Sequence, residues 1–387
     1  IRAAMWTALV LSKLQHATDG RFWDCTMAVS GVSGGSLGLA SFAAFMREQD
    51  DRFPEGDNPL VRFLEDDFLA PVLAAMFGAD LFQRFLPLRL FTDRGQALEH
   101  SWVQGYRQHV LGGQKTAAAD AGLAMRLADS VRSPDNSRWR TALFLNTTLV
   151  DSGLRLIQHP FAALDIDPDV SVPFPGAQDG ARWLPEELPL FSAVHNSARF
   201  TLVSPAGTIL RRDGDDVRRL GQVVDGGYFE NSGMTTNQAL INAYSEMTAD
   251  GRGPARFRVV HISNGETVAP FAPNGADECP AESTGPAPIP LFGELRAPLI
   301  AILQTRDARG LYARQALLDR VQHLGDGALW HYRLCAGLHP IPLGWTIGDQ
   351  TTREMRRQLA CDPALPDSDC RQAAAMGRNT REIVAQW

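Results

Sequence analysis

Lysine is almost absent from this 387-residue chain. Lys13 and Lys115 are the only two, and the charge balance is 37 basic against 44 acidic residues, a net −7. Nucleic-acid binding, which needs a dense basic surface to neutralise phosphates, is therefore not expected. No run of about 18 apolar residues is present, so no transmembrane helix is expected. The longest candidate, 68–79, is interrupted by Pro71 and stopped by Asp80. No basic segment leads into an apolar stretch at the start, so no signal peptide is visible. The five cysteines show no CxxC spacing, so no metal site is expected. Cys25, beside an apolar run, reads as a buried reduced thiol. Cys279, Cys335, Cys361 and Cys370 are compatible with disulfides or with free thiols, which leaves the compartment open.

A chain of this length buries roughly three quarters of its unfolded surface and needs neither disulfides nor metal to fold. Short apolar runs alternate with amphipathic segments, which predicts an α/β protein: a three-layer α/β/α sandwich with a mostly parallel sheet. Helices are expected over 2–16, packing one face on the sheet, and over 39–47, 186–198, 238–248 and 298–324. Buried strands are expected over 25–30, 142–150, 221–224 and 257–262, with a turn at 151–153 and an extended piece at 200–204. Residues 50–140 read as a helical insertion led in by a charged, proline-broken stretch at 51–59. Residues 267–292 read as a surface loop, and 293–387 as a C-terminal helical part of the same single domain.

Gly31-Val32-Ser33-Gly34-Gly35 fits G-x-S-x-G, with a predicted strand before it and a helix after it. That context suits an exposed nucleophile. The glycines at 31 and 35 would avoid collisions around a strained Ser33, and the Gly34 N–H would face a developing oxyanion at a helix N-terminus. A closely packed strand–helix joint is the plain alternative. A phosphate cradle is a weaker one, because the G-K-[ST] ending is missing. A serine needs a base. Asp225, followed by Gly226 and Gly227, ends the apolar strand GQVV, where α/β folds place ligands, although Asp-Gly is also a common turn. His261, at the end of FRVVHIS, and His195 leave a Ser–Asp–His triad open, but neither has flanks like a catalytic loop.

GVSGGSLG together with VVDGGYFENSG resembles the patatin-like phospholipases, and ALFLNTTLVDSG, AVHNSARFTLVSPAG, VVHISNG, TRDARG and IPLGWTI resemble further blocks of that family. The resemblance implies a lipid acyl hydrolase with a Ser33–Asp225 dyad, no catalytic histidine and no cofactor, acting on lipid or phospholipid at a membrane surface. Members carry a glycine-rich oxyanion motif, G-G-G-x-R, after their first strand. Here Ile1-Arg2-Ala3-Ala4 resembles its end, with Arg2 as the family arginine. The first strand and oxyanion glycines are therefore expected upstream of Ile1, and without them a sheet position would be unpaired. The insertion's Phe68, Leu69, Met76, Phe77, Phe82, Phe85 and Leu86, with Arg84 and Arg89, form either a membrane-facing lid or simply core. A non-catalytic lipid-binding module and a triad esterase for small esters are the competing functions.

Overall fold

The computed structural model describes residues 1–48, 58–78, 80–81, 92–113, 120–133, 135, 137–161, 174–200, 204–213, 216–247, 256–264, 293–324, 327–335, 344–360 and 371–386. The chain opens with α1 (Arg2–Ala17) and a single turn α2 (Arg21–Asp24), then β1 (Ala28–Val32) and α3 (Gly34–Glu48). Next come α4 (Pro59–Leu64), α5 (Leu69–Phe77) and α6 (Arg94–His109), then the strands β2 (Ala142–Leu149), β3 (Arg155–Gln158) and β4 (Ala177–Asp179). Helix α7 (Leu190–Ser197), the hairpin β5 (Gly207–Asp213) and β6 (Asp216–Asp225), α8 (Met234–Met247) and β7 (Arg258–Ser263) follow. The chain continues through α9 (Gly293–His323), β8 (Ala328–Arg333), α10 (Asp349–Leu359) and α11 (Arg371–Val384).

The fold is mixed α/β, and β2 is its organising strand. Every residue of β2 is buried. Leu143 and Leu145 join the large apolar cluster containing α1, α3 and α7, while Ala142 and Phe144 join a second cluster with Ala239 of α8. Side chains of a strand alternate between faces, so this division means that β2 is covered by helices on both sides. Parallel pairing is found at β1–β2, β3–β4 and β7–β8. The pairs β2–β3, β2–β6 and β5–β6 are antiparallel. The sheet is thus more mixed than the expected mostly parallel one. The reason is local: connections as short as 150–154 join only antiparallel neighbours.

One edge of β2 explains how the site forms. β3 takes one edge, pairing Asn146 with Ile157 and Thr147 with Leu156. On the other edge, β1 arrives parallel and ends with Val32 opposite Asn146, while β6 arrives antiparallel and ends with Asp225 opposite Thr147. Two strands therefore terminate head to head at adjacent residues. Among the described residues β1 has no other strand partner, and β7 pairs only with β8. Residues of both β1 and β7 line a cavity of about 510 Å³, together with Trp6 of α1 and Trp330 of β8.

Several expectations are corrected. α1 is buried around most of its circumference instead of along one face, because α3, α4 and β7 all pack on it. β1 begins three residues later than expected, since α2 occupies 21–24 and Cys25 caps it. Cys25 is consequently exposed, not buried. Cys335 is disulfide-bonded, one of the two alternatives left open for it. The C-terminal part is not wholly helical: it contributes β8. Phe68 is core at 1% exposure, whereas Leu73, Phe77 and Leu81 are 37%, 67% and 44% exposed. Phe82, Arg84, Phe85, Leu86 and Arg89 lie outside the described residues, as does the loop expected over 267–292. Among the described residues no helix is long and apolar enough to cross a membrane.

Candidate active site

Ser33 stands between β1 and α3 with φ at +53°, in the left-handed region that a residue with a Cβ rarely occupies. The turn needs glycine on one side of it. A Cβ on Gly31 would lie 2.9 Å from the Ser36 backbone, so β1 and α3 can approach only if residue 31 has no side chain. A Cβ added at Gly34 would lie 3.1 Å from Ala3 Cβ of α1. Gly35 differs from expectation: nothing lies within 4 Å of an added Cβ, because it borders the cavity instead of packing. Gly34 and Gly35 open α3, so by position their N–H groups have no acceptor within the helix.

The hydroxyl of Ser33 donates to Asp225 Oδ2 at 2.6 Å. The other carboxylate oxygen, Oδ1, accepts the Gly227 N–H at 2.7 Å. Asp225 is 2% exposed. Burial raises its pKa from 3.8 to about 6, against the opposing pull of the Ser33 hydroxyl, the Gly227 N–H and the charge of Arg306. Gly226 is required by packing. A Cβ there would sit 2.2 Å from the Asn146 carbonyl, since the chain turns directly over the end of β2.

A second layer comes from the end of α7. The Ser33 N–H donates to the Ser197 carbonyl at 3.1 Å, and the Asp225 N–H donates to the Arg199 carbonyl at 3.1 Å. One helix terminus therefore holds the backbone of both residues. Ser197 Oγ also donates to the Asn146 carbonyl at 2.5 Å and lies 2.8 Å from Ser36 Oγ. Asn146 Nδ2 in turn donates to the Gly31 carbonyl at 2.8 Å and to Ser30 Oγ at 2.9 Å. Sequence reasoning assigned Ser197, Asn146 and Arg199 no role. The signals were Asn146 as a polar residue inside the apolar run ALFLN, and the block AVHNSARF, where small and polar residues stand at positions that a core helix would fill with apolar ones.

Neither candidate histidine reaches Ser33. His195 is buried, with Nδ1 2.7 Å from Glu99 Oε1 and Nε2 against Ser204 Oγ. It ties α6 to the segment after α7. Burial is the main cause that holds its imidazole below the ordinary range. His261 stacks on His331 of the neighbouring strand, with ring centroids 4.4 Å apart. Arg2 is the first residue of α1 and is 9% exposed, next to the Ala3 that packs against Gly34. Among the described residues no group of three or more His, Cys, Asp or Glu could hold a metal ion.

The arrangement can do nucleophilic chemistry. A strained hydroxyl sits at a helix N-terminus, hydrogen-bonded to a buried carboxylate whose proton affinity burial has raised. No protein-family model matches this chain, and no curated protein matches it.

Proposed function

We propose that this chain is a lipid acyl hydrolase that cleaves carboxylic esters through a Ser33–Asp225 dyad, on a three-layer α/β/α fold like that of the patatin-like phospholipases. The observation that carries the reading is the 2.6 Å bond from a positive-φ serine to a buried aspartate. Ser33 Oγ attacks the ester carbonyl and its proton passes to Asp225 Oδ2. The tetrahedral oxyanion is met by the Gly34 N–H and the positive end of α3. Collapse of this intermediate expels the alcohol, which takes the proton from Asp225, and leaves Ser33 acylated. Water then attacks the acyl-enzyme, giving its proton to Asp225. The second collapse releases the fatty acid and returns that proton to Ser33 Oγ.

An aspartate near 4 is a poor base for a hydroxyl, and one near 6 is a better one. Burial thus supports the dyad without a histidine. The substrate is taken from a lipid surface, a reading supported by α5. That helix carries no charged residue over Leu69–Phe77 and leaves Leu73 and Phe77 in solvent.

A fluorophosphonate probe tests the reading directly. Wild-type protein is expected to be labelled at Ser33 and to release fatty acid from an acyl ester, and Ser33→Ala is expected to do neither. An unlabelled Ser33 in folded protein would instead favour a non-catalytic lipid-binding module.

A further inference from the structure

Helix α9 lies across the loop that follows Asp225 and touches it at successive points. Arg309 Nη1 donates to the Phe229 carbonyl at 3.4 Å, and its guanidinium lies 5.3 Å from the Phe229 ring centre. Asn231 Nδ2 donates to Asp307 Oδ1 at 2.5 Å. Gly310 permits this approach, since a Cβ there would fall 2.4 Å from Asn231 Oδ1. One turn before that glycine is Arg306. Its Nη1 lies 3.8 Å from the position a Gly227 Cβ would take, directly beside the peptide that binds Asp225.

Arg306 is 23% exposed in its side chain, and its ion pair with the neighbouring acid is a loose one, Nε to Asp307 Oδ1 at 3.4 Å. Other charges near this loop are engaged elsewhere: Arg155, whose guanidinium lies 5.4 Å from the Phe229 ring centre, donates through Nη1 to Thr236 Oγ1 at 2.6 Å. Arg199 donates to Asn196 and to the Pro205 carbonyl, and Nη2 lies 3.9 Å from Glu99. Glu230 accepts from Ser232 and from the Thr235 N–H at the start of α8. Asp307 remains as a second acid that shares Arg306 with the buried carboxylate.

We propose that Arg306, on the helix α9 that the Asn231–Asp307 clasp ties to the loop after Asp225, is a positioning residue of the dyad: its guanidinium keeps Asp225 ionised so that it can accept the Ser33 proton near neutral pH. The inference rests on the Ser33–Asp225 reading given above. Physically, burial without a counter-charge pushes a carboxylate further towards its protonated form, in which it cannot accept a proton. Arg306 makes no hydrogen bond to Asp225, so it acts through its field and leaves both carboxylate oxygens to Ser33 and Gly227. The cation is supplied 81 residues downstream of the base, which makes the docking of α9 part of the active site.

The test is the pH dependence of the fluorophosphonate labelling rate at Ser33, which needs no knowledge of the natural lipid. In Arg306→Gln the acidic limb is expected to move up by about one unit, the effect of losing a nearby opposite charge. The rate should return towards wild type on the alkaline plateau, and Arg306→Lys should move the limb less. Asp307→Asn keeps an amide oxygen to accept from Asn231 but loses the charge that competes for Arg306, and is expected to move the limb down. Thermal unfolding establishes that each variant is folded. A limb that stays in place in all three folded variants, or a rate lowered equally at every pH, would overturn the inference while leaving the dyad standing. Wild-type protein that is never labelled at Ser33 would overturn the dyad reading, and this inference with it.

Discussion

Ser197 stands directly behind Ser33, accepting its N–H on the carbonyl at 3.1 Å and on Oγ at 3.2 Å. The Ser197 hydroxyl spends its own proton on the Asn146 carbonyl. Ser197→Ala therefore leaves the Asn146 carbonyl and Ser36 Oγ short of a partner in a buried place. It is expected to lower stability by about 1–3 kcal/mol and to slow labelling of Ser33, as measured by urea unfolding and by probe kinetics.

Strain at residue 33 is separable from its chemistry. Glycine accepts a positive φ freely, whereas alanine keeps the Cβ that makes it costly. Both Ser33→Gly and Ser33→Ala are expected to abolish labelling. The glycine variant should be the more stable by about 1 kcal/mol, read as the difference in denaturation midpoint.

Asp225 sets activity and stability against each other. In the unfolded chain an aspartate titrates near 3.9, and in the folded protein this one titrates at about 6. Between those values the native state holds a proton that the unfolded chain has released, so stability falls as pH rises through the window. Asparagine never carries the charge. Asp225→Asn is expected to be inactive and, at pH 8, more stable than wild type by up to about 3 kcal/mol, with the advantage gone below pH 4. Paired unfolding curves at the two pH values check it.

Leu73→Asp combined with Phe77→Asp is expected to weaken binding to lipid vesicles severalfold while leaving the melting temperature nearly unchanged. Phe77 is mostly in water and Leu73 partly so, at 67% and 37% exposure, so the fold loses little when they become polar. Vesicle flotation alongside thermal unfolding separates the two effects.

Ser33 and Asp225 were legible in the sequence because each carries a strong local constraint. A G-x-S-x-G between an apolar run and an amphipathic segment, and an Asp-Gly-Gly after another apolar run, are signals contained within a dozen residues. The elements that were missed are those whose existence depends on a partner. β3, β4, β5 and β8 acquire strand geometry from β2, β3, β6 and β7 respectively. The first four residues of β6 are exposed, so 216–219 carry no apolar run to read. Arg306 and Ser197 were invisible as site residues for a similar reason. Their roles come from what a different helix brings them against. Gly35 was over-read, because a motif assigns a steric duty to each of its glycines and here one faces a cavity.

The head-to-head ending of β1 and β6 on β2 also makes the site a clock for folding. Ser33 and Asp225 are 192 residues apart in sequence, and each reaches the other only through a long-range pairing with β2. Contacts at such separations form after local helices, since chain entropy must first be overcome. An incompletely assembled chain therefore has its helices but no Ser33–Asp225 pair until both pairings close. Appearance of a reactive Ser33 during refolding marks the joining of two distant parts of the chain, an event that helix content alone would not register.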